Sequence, residues 1–204
     1  MADKEIRCFD GNPAMRAYHD WEWGRPSNDE QHLFEMLVLE SFQSGIAWRV
    51  VLEKRNAFRE AFAGFDPSAV ASFTGDDTDR LMENAGIVRN RAKIEAAIAN
   101  AHAVCALHER GSSLGRLAWP FTLVDQPAPR QARDIPVHTP EAEALAYELK
   151  SLGFRFLGPT TVYSFMQAVG IVNDHVEECF VRGEVEIEQH RFRVRAAVNN
   201  FPLH

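Results

Sequence analysis

Helix-start signals recur along this chain, and three carry a proline at the first helical position: Asp66–Pro67, Thr139–Pro140 and Gly158–Pro159. Proline suits that position because the N–H it lacks is one the helix leaves unpaired anyway, and its restricted φ already matches the first turn. Asn28–Asp29, Asp76–Asp77 and Asn173–Asp174 are further capping pairs. Helices are expected from 28 to about 44, 67 to 73, 76 to the stop at Gly86, 90 to 110, 140 to 153 and 159 to 170. A last helix after Asn173 would carry His175 and Cys179. Leu33, Phe34, Leu37 and Val38, and then Ile94, Ala97, Ile98, Ala101 and Cys105, recur at helical spacing. Period-two alternation is confined to the tail, where Val185, Ile187, Phe192 and Val194 suggest a short strand pair or a loose arm. The proline-rich stretch from Trp119 to His138 reads as a surface loop. The expected class is all-α.

The 204 residues suffice for one ordinary core or for two lobes sharing one. The division expected is a helical unit over 1–183 and an extension over 184–204. A 46% hydrophobic and 25% charged composition is that of a globular protein. No apolar run approaches the roughly 20 residues that span a bilayer. Residues Met1 to Arg7 are polar and charged, unlike a secretory leader. A cytoplasmic protein without membrane contact is expected.

Cys8, Cys105 and Cys179 are an odd and scattered set, which argues against a disulfide framework and leaves metal binding or buried thiols. His175 and Cys179, four apart on the expected helix, would share a face and suit two ligands of one tetrahedral zinc ion. Cys8 and His19 lie on either side of the Gly11–Asn12–Pro13 turn and could complete a Cys2His2 set. Spacing alone equally fits four unrelated core residues.

Asn84 to Ile94 places a glycine turn between two helices, with Arg89, Arg91 and Lys93 at the start of the second. Amides at a helix N-terminus beside basic side chains form an anion site, and phosphate contacts of that kind hold DNA without reading it. An ordinary helix corner with solvated charges has the same sequence. The net charge of −7 opposes general affinity for phosphate backbones, so any DNA contact must come from such a local patch. Glu40 follows the apolar run Met36-Leu37-Val38-Leu39, where a carboxylate is partly buried and needs a partner or a role. Tyr18 and Trp48 supply flat faces that could sandwich a base. They could also be plain core aromatics, with Glu40 on the wet side of its helix.

These features stand in an order that resembles the 3-methyladenine DNA glycosylase I family of the helix-hairpin-helix superfamily. The matching stretches are Ala17-Tyr18-His19-Asp20 with Glu22-Trp23-Gly24, Leu33 to Met36, and Leu39-Glu40-Ser41 through Gly45-Ile46-Ala47-Trp48. Beyond them come Ala85 to Arg89, Gly153 to Gly158, and Tyr163-Ser164-Phe165-Met166-Gln167-Ala168 through Asn173-Asp174-His175. The resemblance spans roughly residues 8 to 180. It implies one structural zinc ion on Cys8, His19, His175 and Cys179. It implies Glu40 as the catalytic carboxylate, Tyr18 and Trp48 as stacking walls, Gly45 and Ile46 as a wedge in the duplex, and Gly86 and Ile87 as the phosphate-gripping hairpin. It also implies a monomer that acts on alkylated double-stranded DNA and releases 3-methyladenine by simple hydrolysis, leaving an abasic site. Other superfamily branches use an aspartate beyond the hairpin, but here none stands between Asp79 and Asp125.

The pattern departs in places. Asp10 stands where the family has tryptophan, the Cys8–His19 loop is shorter, Phe42 replaces a polar residue beside Glu40, and the tail is longer. Altered base specificity, or a zinc-stapled DNA-binding module without catalysis, would fit the same sequence. A buried Glu40 beside an aromatic slot would count against the binding module.

Overall fold

A computed structural model describes residues 5–9, 11–123 and 126–198. Asp10 lies outside them. The described residues form helices joined by turns, with no β-strand among them. The first helix, α1 (Pro13–Trp21), starts at a signal the sequence reading took for a turn only: Asn12 caps the Met15 N–H and Pro13 opens the helix.

Helix α2 (Glu30–Gln43) is the centre of the fold. Asp29 caps it, and every residue from Leu33 to Phe42 is buried. A helix enclosed on all sides belongs in the core of a larger assembly. Around it pack α3 (Trp48–Glu53), α7 (Arg91–Glu109), α8 (Leu114–Ala118) and α10 (Pro159–Ala168). Helices α4 (Arg55–Ala61), α5 (Pro67–Ala71) and α6 (Gly75–Glu83) precede α7, and α9 (Pro140–Ser151) pairs with α10. The Phe42 ring, 4.8 Å from that of Phe58, sits in an aromatic cluster with Phe62, Phe65 and Phe73. That departure from the family pattern therefore fills core, and Phe42 does not line the slot described below.

Lys93 was read from sequence as a phosphate contact, but it is buried. Its ammonium donates to the carbonyls of Phe42 at 2.9 Å and Ser44 at 2.5 Å. These are orphan acceptors at the end of α2, where a positive charge also complements the helix dipole. Burial holds its pKa below the usual lysine value. Replacing Lys93 by Met keeps the length but strands both carbonyls. We expect Lys93→Met to lower unfolding free energy by about 2–4 kcal/mol in urea titrations. A change under about 0.5 kcal/mol, the level of an ordinary surface substitution, would mean that water replaces the ammonium.

Two expectations about the C-terminal region are corrected. Residues 173–181 do not form a helix, because their polar groups are satisfied in other ways. Gly170 turns the chain at φ +77°, and the N–H groups of Ile171 and Val172 return to Met166 O. Asn173 Oδ1 accepts from the His175 N–H, and Arg182 donates to the carbonyls of Asn173 and His175. The tail is α-helical, not a strand pair: α11 (Arg182–Val198) starts two residues before the extension expected from 184. Its inward stripe is Val185, Gln189, Phe192 and Ala196, a helical spacing hidden by its polar member. Gln189 donates to Gly24 O, while Ile187 and Val194 of the apparent alternation are exposed. Arg25 pairs with Glu184 and Glu188 on successive turns. In the loop after α8, Trp119 is fully buried rather than on the surface. Its indole donates to Ser27 O and its ring lies 4.2 Å from Phe192.

Candidate active site and metal centre

Two carboxylates are buried on α2, and their surroundings separate their roles. Glu35 accepts from Arg55 at 2.7 Å and from Arg59 at 2.7 and 3.0 Å. Against the penalty of burial, these guanidinium groups hold its pKa below the usual carboxylate range. Glu40, 5% exposed, has Oε2 without a partner, and burial alone pushes its pKa up to about 8. An isolated carboxylate in an apolar site takes up a proton rather than hold an unpaired charge.

Tyr18 from α1 and Trp48 from the start of α3 come to 5.2 Å, tilted by 47°. With Glu40 they line a slot of about 180 Å³. The sequence reading missed Gln43, Ser164 and Gln167 in this lining, together with Phe9, Met15 and Trp23. Ser164 and Gln167 are three apart on α10 and so share a face, inside the longest stretch that carried the resemblance. Polar residues at helical spacing in an apolar helix were the signal that could have found them. The Trp48 indole N–H is, like Glu40 Oε2, buried and unpaired. Two buried, unpaired groups of the slot, the Trp48 N–H and Glu40 Oε2, stand with two aromatic faces, which suits a flat heterocycle carrying positive charge.

Beyond the slot, Glu40 also borders an open cavity of about 410 Å³ with Ser44, Gly45, Ile46 and Thr161. Gly45 has φ +84°, which glycine tolerates and which turns the chain out of α2. Ile46 is left 37% exposed at the mouth.

The α6–α7 corner is a turn over 84–90. Its Gly86 and Ile87 N–H groups donate within the turn to Asn84 Oδ1 and O, and the Ile87 side chain is buried. Asn90 caps Lys93 N at the start of α7. Arg89 and Arg91 are exposed, Arg91 pairing with Asp79 at 2.6 Å. Lys54 donates to Ala85 O and Gly86 O, tying the corner to the end of the helix that begins at Trp48.

Cys8, His19, His175 and Cys179 meet where the segment around α1 packs on the loop before α11, with their ligand atoms all within 4.8 Å of one another. Cys8 Sγ lies 3.3 Å from His175 Nδ1, and Cys179 Sγ lies 3.4 Å from it and 3.5 Å from His19 Nε2. A tetrahedron with bonds of 2.0–2.3 Å has edges of about 3.3–3.8 Å, so the cluster fits a metal ion. Each histidine is oriented from behind: His19 Nδ1 by Asp20, itself held by Arg7, and His175 Nε2 by Trp23 O. The Cys8 thiol and the rings of His175 and His19 pull the Cys179 pKa far below the usual thiol range. The Val176 N–H donates to Cys8 Sγ. His19 comes from α1, while His175 and Cys179 come from the loop before α11 and reach one point through a turn rather than one helix face.

An aromatic slot with a buried, unpaired carboxylate oxygen, together with a turn joining two helices and a clasp of potential metal ligands, defines a helical protein with a site for a flat ring. The chain belongs to the methyladenine glycosylase family, whose profile matches residues 8–182. It is 45% identical over 171 residues to DNA-3-methyladenine glycosylase 1 of Escherichia coli (strain K12), covering 82% of this chain and 91% of that protein. Among solved structures it resembles a 3-methyladenine DNA glycosylase I with TM-score 0.83 and 44% identity, over 86% of this chain and 98% of the other. It also resembles a 3-methyladenine DNA glycosylase I variant solved in complex with 3-methyladenine. That match has TM-score 0.80 and 35% identity, over 85% of this chain and 94% of the other.

Proposed function

We propose that this protein is a monofunctional DNA repair glycosylase that hydrolyses the N-glycosidic bond of 3-methyladenine in alkylated double-stranded DNA. The observation that carries this is the buried, unpartnered Glu40 beside Tyr18 and Trp48. The N3-methylated base is already a cation, so its bond to the sugar is weak and the leaving group needs no proton. The C1′–N9 electron pair goes to the base, which leaves as neutral 3-methyladenine. Water adds to C1′, its proton goes to solvent, and an abasic site remains.

Tyr18 and Trp48 hold the extruded cation by their π faces, about 0.5–2 kcal/mol each. The approaching positive charge returns the Glu40 proton to solvent, and the resulting carboxylate accepts from the adenine edge and favours the oxocarbenium-like transition state. Neutral adenine gains neither term. Damage also lowers the cost of unstacking. Chromatography of bases released from methylated DNA tests the reading: 3-methyladenine is the expected product, and no released base would reduce the protein to a binding module.

Gly45 and Ile46 enter the duplex as the wedge, and the α6–α7 corner grips a phosphate of the lesion strand. Because the Gly86 and Ile87 amides already donate to Asn84, we place that grip at the start of α7, with Arg89 and Arg91. Arg89→Glu with Arg91→Glu should weaken binding to every duplex alike and flatten the salt dependence by about two counterions. Unaltered binding by this double variant would remove the corner from the interface.

We assign one structural zinc ion to Cys8, His19, His175 and Cys179. Bound there it would supply a charge-compensated structural clasp, with the two thiolates balancing its charge and all four side chains committed to holding it. Residues 1–183 are the catalytic unit and 184–204 an extension packed on it through Val185, Gln189 and Phe192. The enzyme acts as a monomer in the cytoplasm, and no described helix is long and apolar enough to cross a membrane.

A further inference from the structure

A separate cavity of about 770 Å³ lies next to the one at Ile46, and Ser44 and Thr161 line both. Its walls are aromatic and its rim is basic. Phe156 and Tyr147 are 44% and 78% exposed there, a large apolar display for positions without a role in packing. Lys150 and Arg155 lie on the same cavity, while Glu143, also on it, is engaged by His138 at 2.8 Å.

Phe156 is held in this position. It has φ +61°, an unfavourable conformation for a bulky residue that persists only where its surroundings impose it. The fully buried Asn100 of α7 imposes it: its amide donates to Arg155 O at 3.1 Å and accepts from Arg155 N at 2.7 Å, clamping the residue before Phe156 on both sides. The Lys93 ammonium, which binds the carbonyl of Ser44, sits 5.7 Å from the centre of the Phe156 ring. One buried cation thus braces both the loop that carries Ile46 and the aromatic ring beside it.

We infer that Phe156, with Tyr147 beside it, is a second DNA-contacting arm on which an unstacked nucleobase next to the extruded one lies flat. An aromatic face among cations is the arrangement that holds unpaired bases without reading their identity. Continuity with the cavity holding Glu40 and Ile46, and the basic rim that suits a phosphate backbone, favour nucleic acid over a second copy of the chain. The inference rests on DNA being the substrate.

The test measures affinity for a duplex carrying a tetrahydrofuran abasic analogue, alongside wild-type base release from methylated DNA. Phe156→Ala should weaken duplex binding about tenfold or more, and Phe156→Trp should retain it. Free 3-methyladenine binding and melting temperature should stay unchanged. Tyr147→Ala, at a position too exposed to endanger the fold, should weaken the same binding several-fold. Duplexes bearing 5-iodouracil beside the lesion should photocrosslink to wild type and not to Phe156→Ala. Duplex binding within twofold of wild type for both alanine variants would overturn the inference. So would an equal loss of free-base binding, or a dimer in sedimentation that Phe156→Ala dissociates. A wild-type protein that releases no base would instead bring down the proposed activity.

Discussion

Glu40→Gln is expected to release 3-methyladenine about 100-fold more slowly than wild type, the scale seen when a single buried group that stabilises transition-state charge is removed. The amide keeps the shape of the slot and can still accept one hydrogen bond, but it cannot become an anion opposite a cation. Wild-type kcat/KM should rise between about pH 6.5 and 8.5, as the free enzyme gives up the Glu40 proton near pH 8. The variant should show no such rise.

Stability should move the other way. The folded protein keeps the Glu40 proton up to about pH 8, whereas the unfolded chain releases it near the ordinary value of 4.5. Folding therefore loses stability as pH climbs through that window and incurs no such penalty below it. The variant should melt several degrees above wild type at pH 8.5 and close to it at pH 4.5. Parallel loss of melting temperature and activity would make Glu40 a structural residue. Undiminished release by a well-folded variant would move the chemistry elsewhere.

Cys179→Ser should bring the largest loss of stability. Closed zinc sites contribute on the order of 10–16 kcal/mol in small metal-folded peptides. Here only the junction of the α1 region with the loop before α11 depends on the clasp, so the expected cost is a fraction of that, about 4–5 kcal/mol. For a chain of this size the melting temperature should fall by about 10–15 °C, with metal content dropping from one zinc ion per chain to near zero. Cys105→Ser, on α7 and outside the cluster, should change neither. Zinc-free protein on direct metal analysis of a fresh preparation would refute the assignment.

The starts of most long helices were legible because capping is local. Asp29, Asp66, Asn90 and Thr139 each accept from an N–H two or three residues away, so the signal and its partner share one short window. The first helix carries the same signal in Asn12–Pro13, a cap and proline that the flanking glycine makes equally compatible with a turn. The tail shows an apparent period-two alternation because the inward stripe of its helix includes the polar Gln189, which donates to Gly24 O. The four metal-ligand candidates were in view from residue type and resemblance, but the shape holding two of them was not: Arg182 takes the carbonyls of Asn173 and His175, so that segment needs no helix.

What the sequence by itself determined was the all-helical class, the helix starts, and the residue types from which a base slot and a metal clasp could be made. Tertiary structure alone decided which polar groups have partners. Glu35 and Glu40 lie on one buried helix with similar neighbours in sequence, yet Arg55 and Arg59 reach the first from α4 and the second has one oxygen left bare. Lys93 carries the same charge as Arg89 and Arg91, yet it turns inward to carbonyls 49 and 51 residues away. The physical reason is one of range. Propensity and capping act within a turn of chain, whereas the free energy of a buried charge depends on what distant segments bring to it, and those partners exist only once the core has closed.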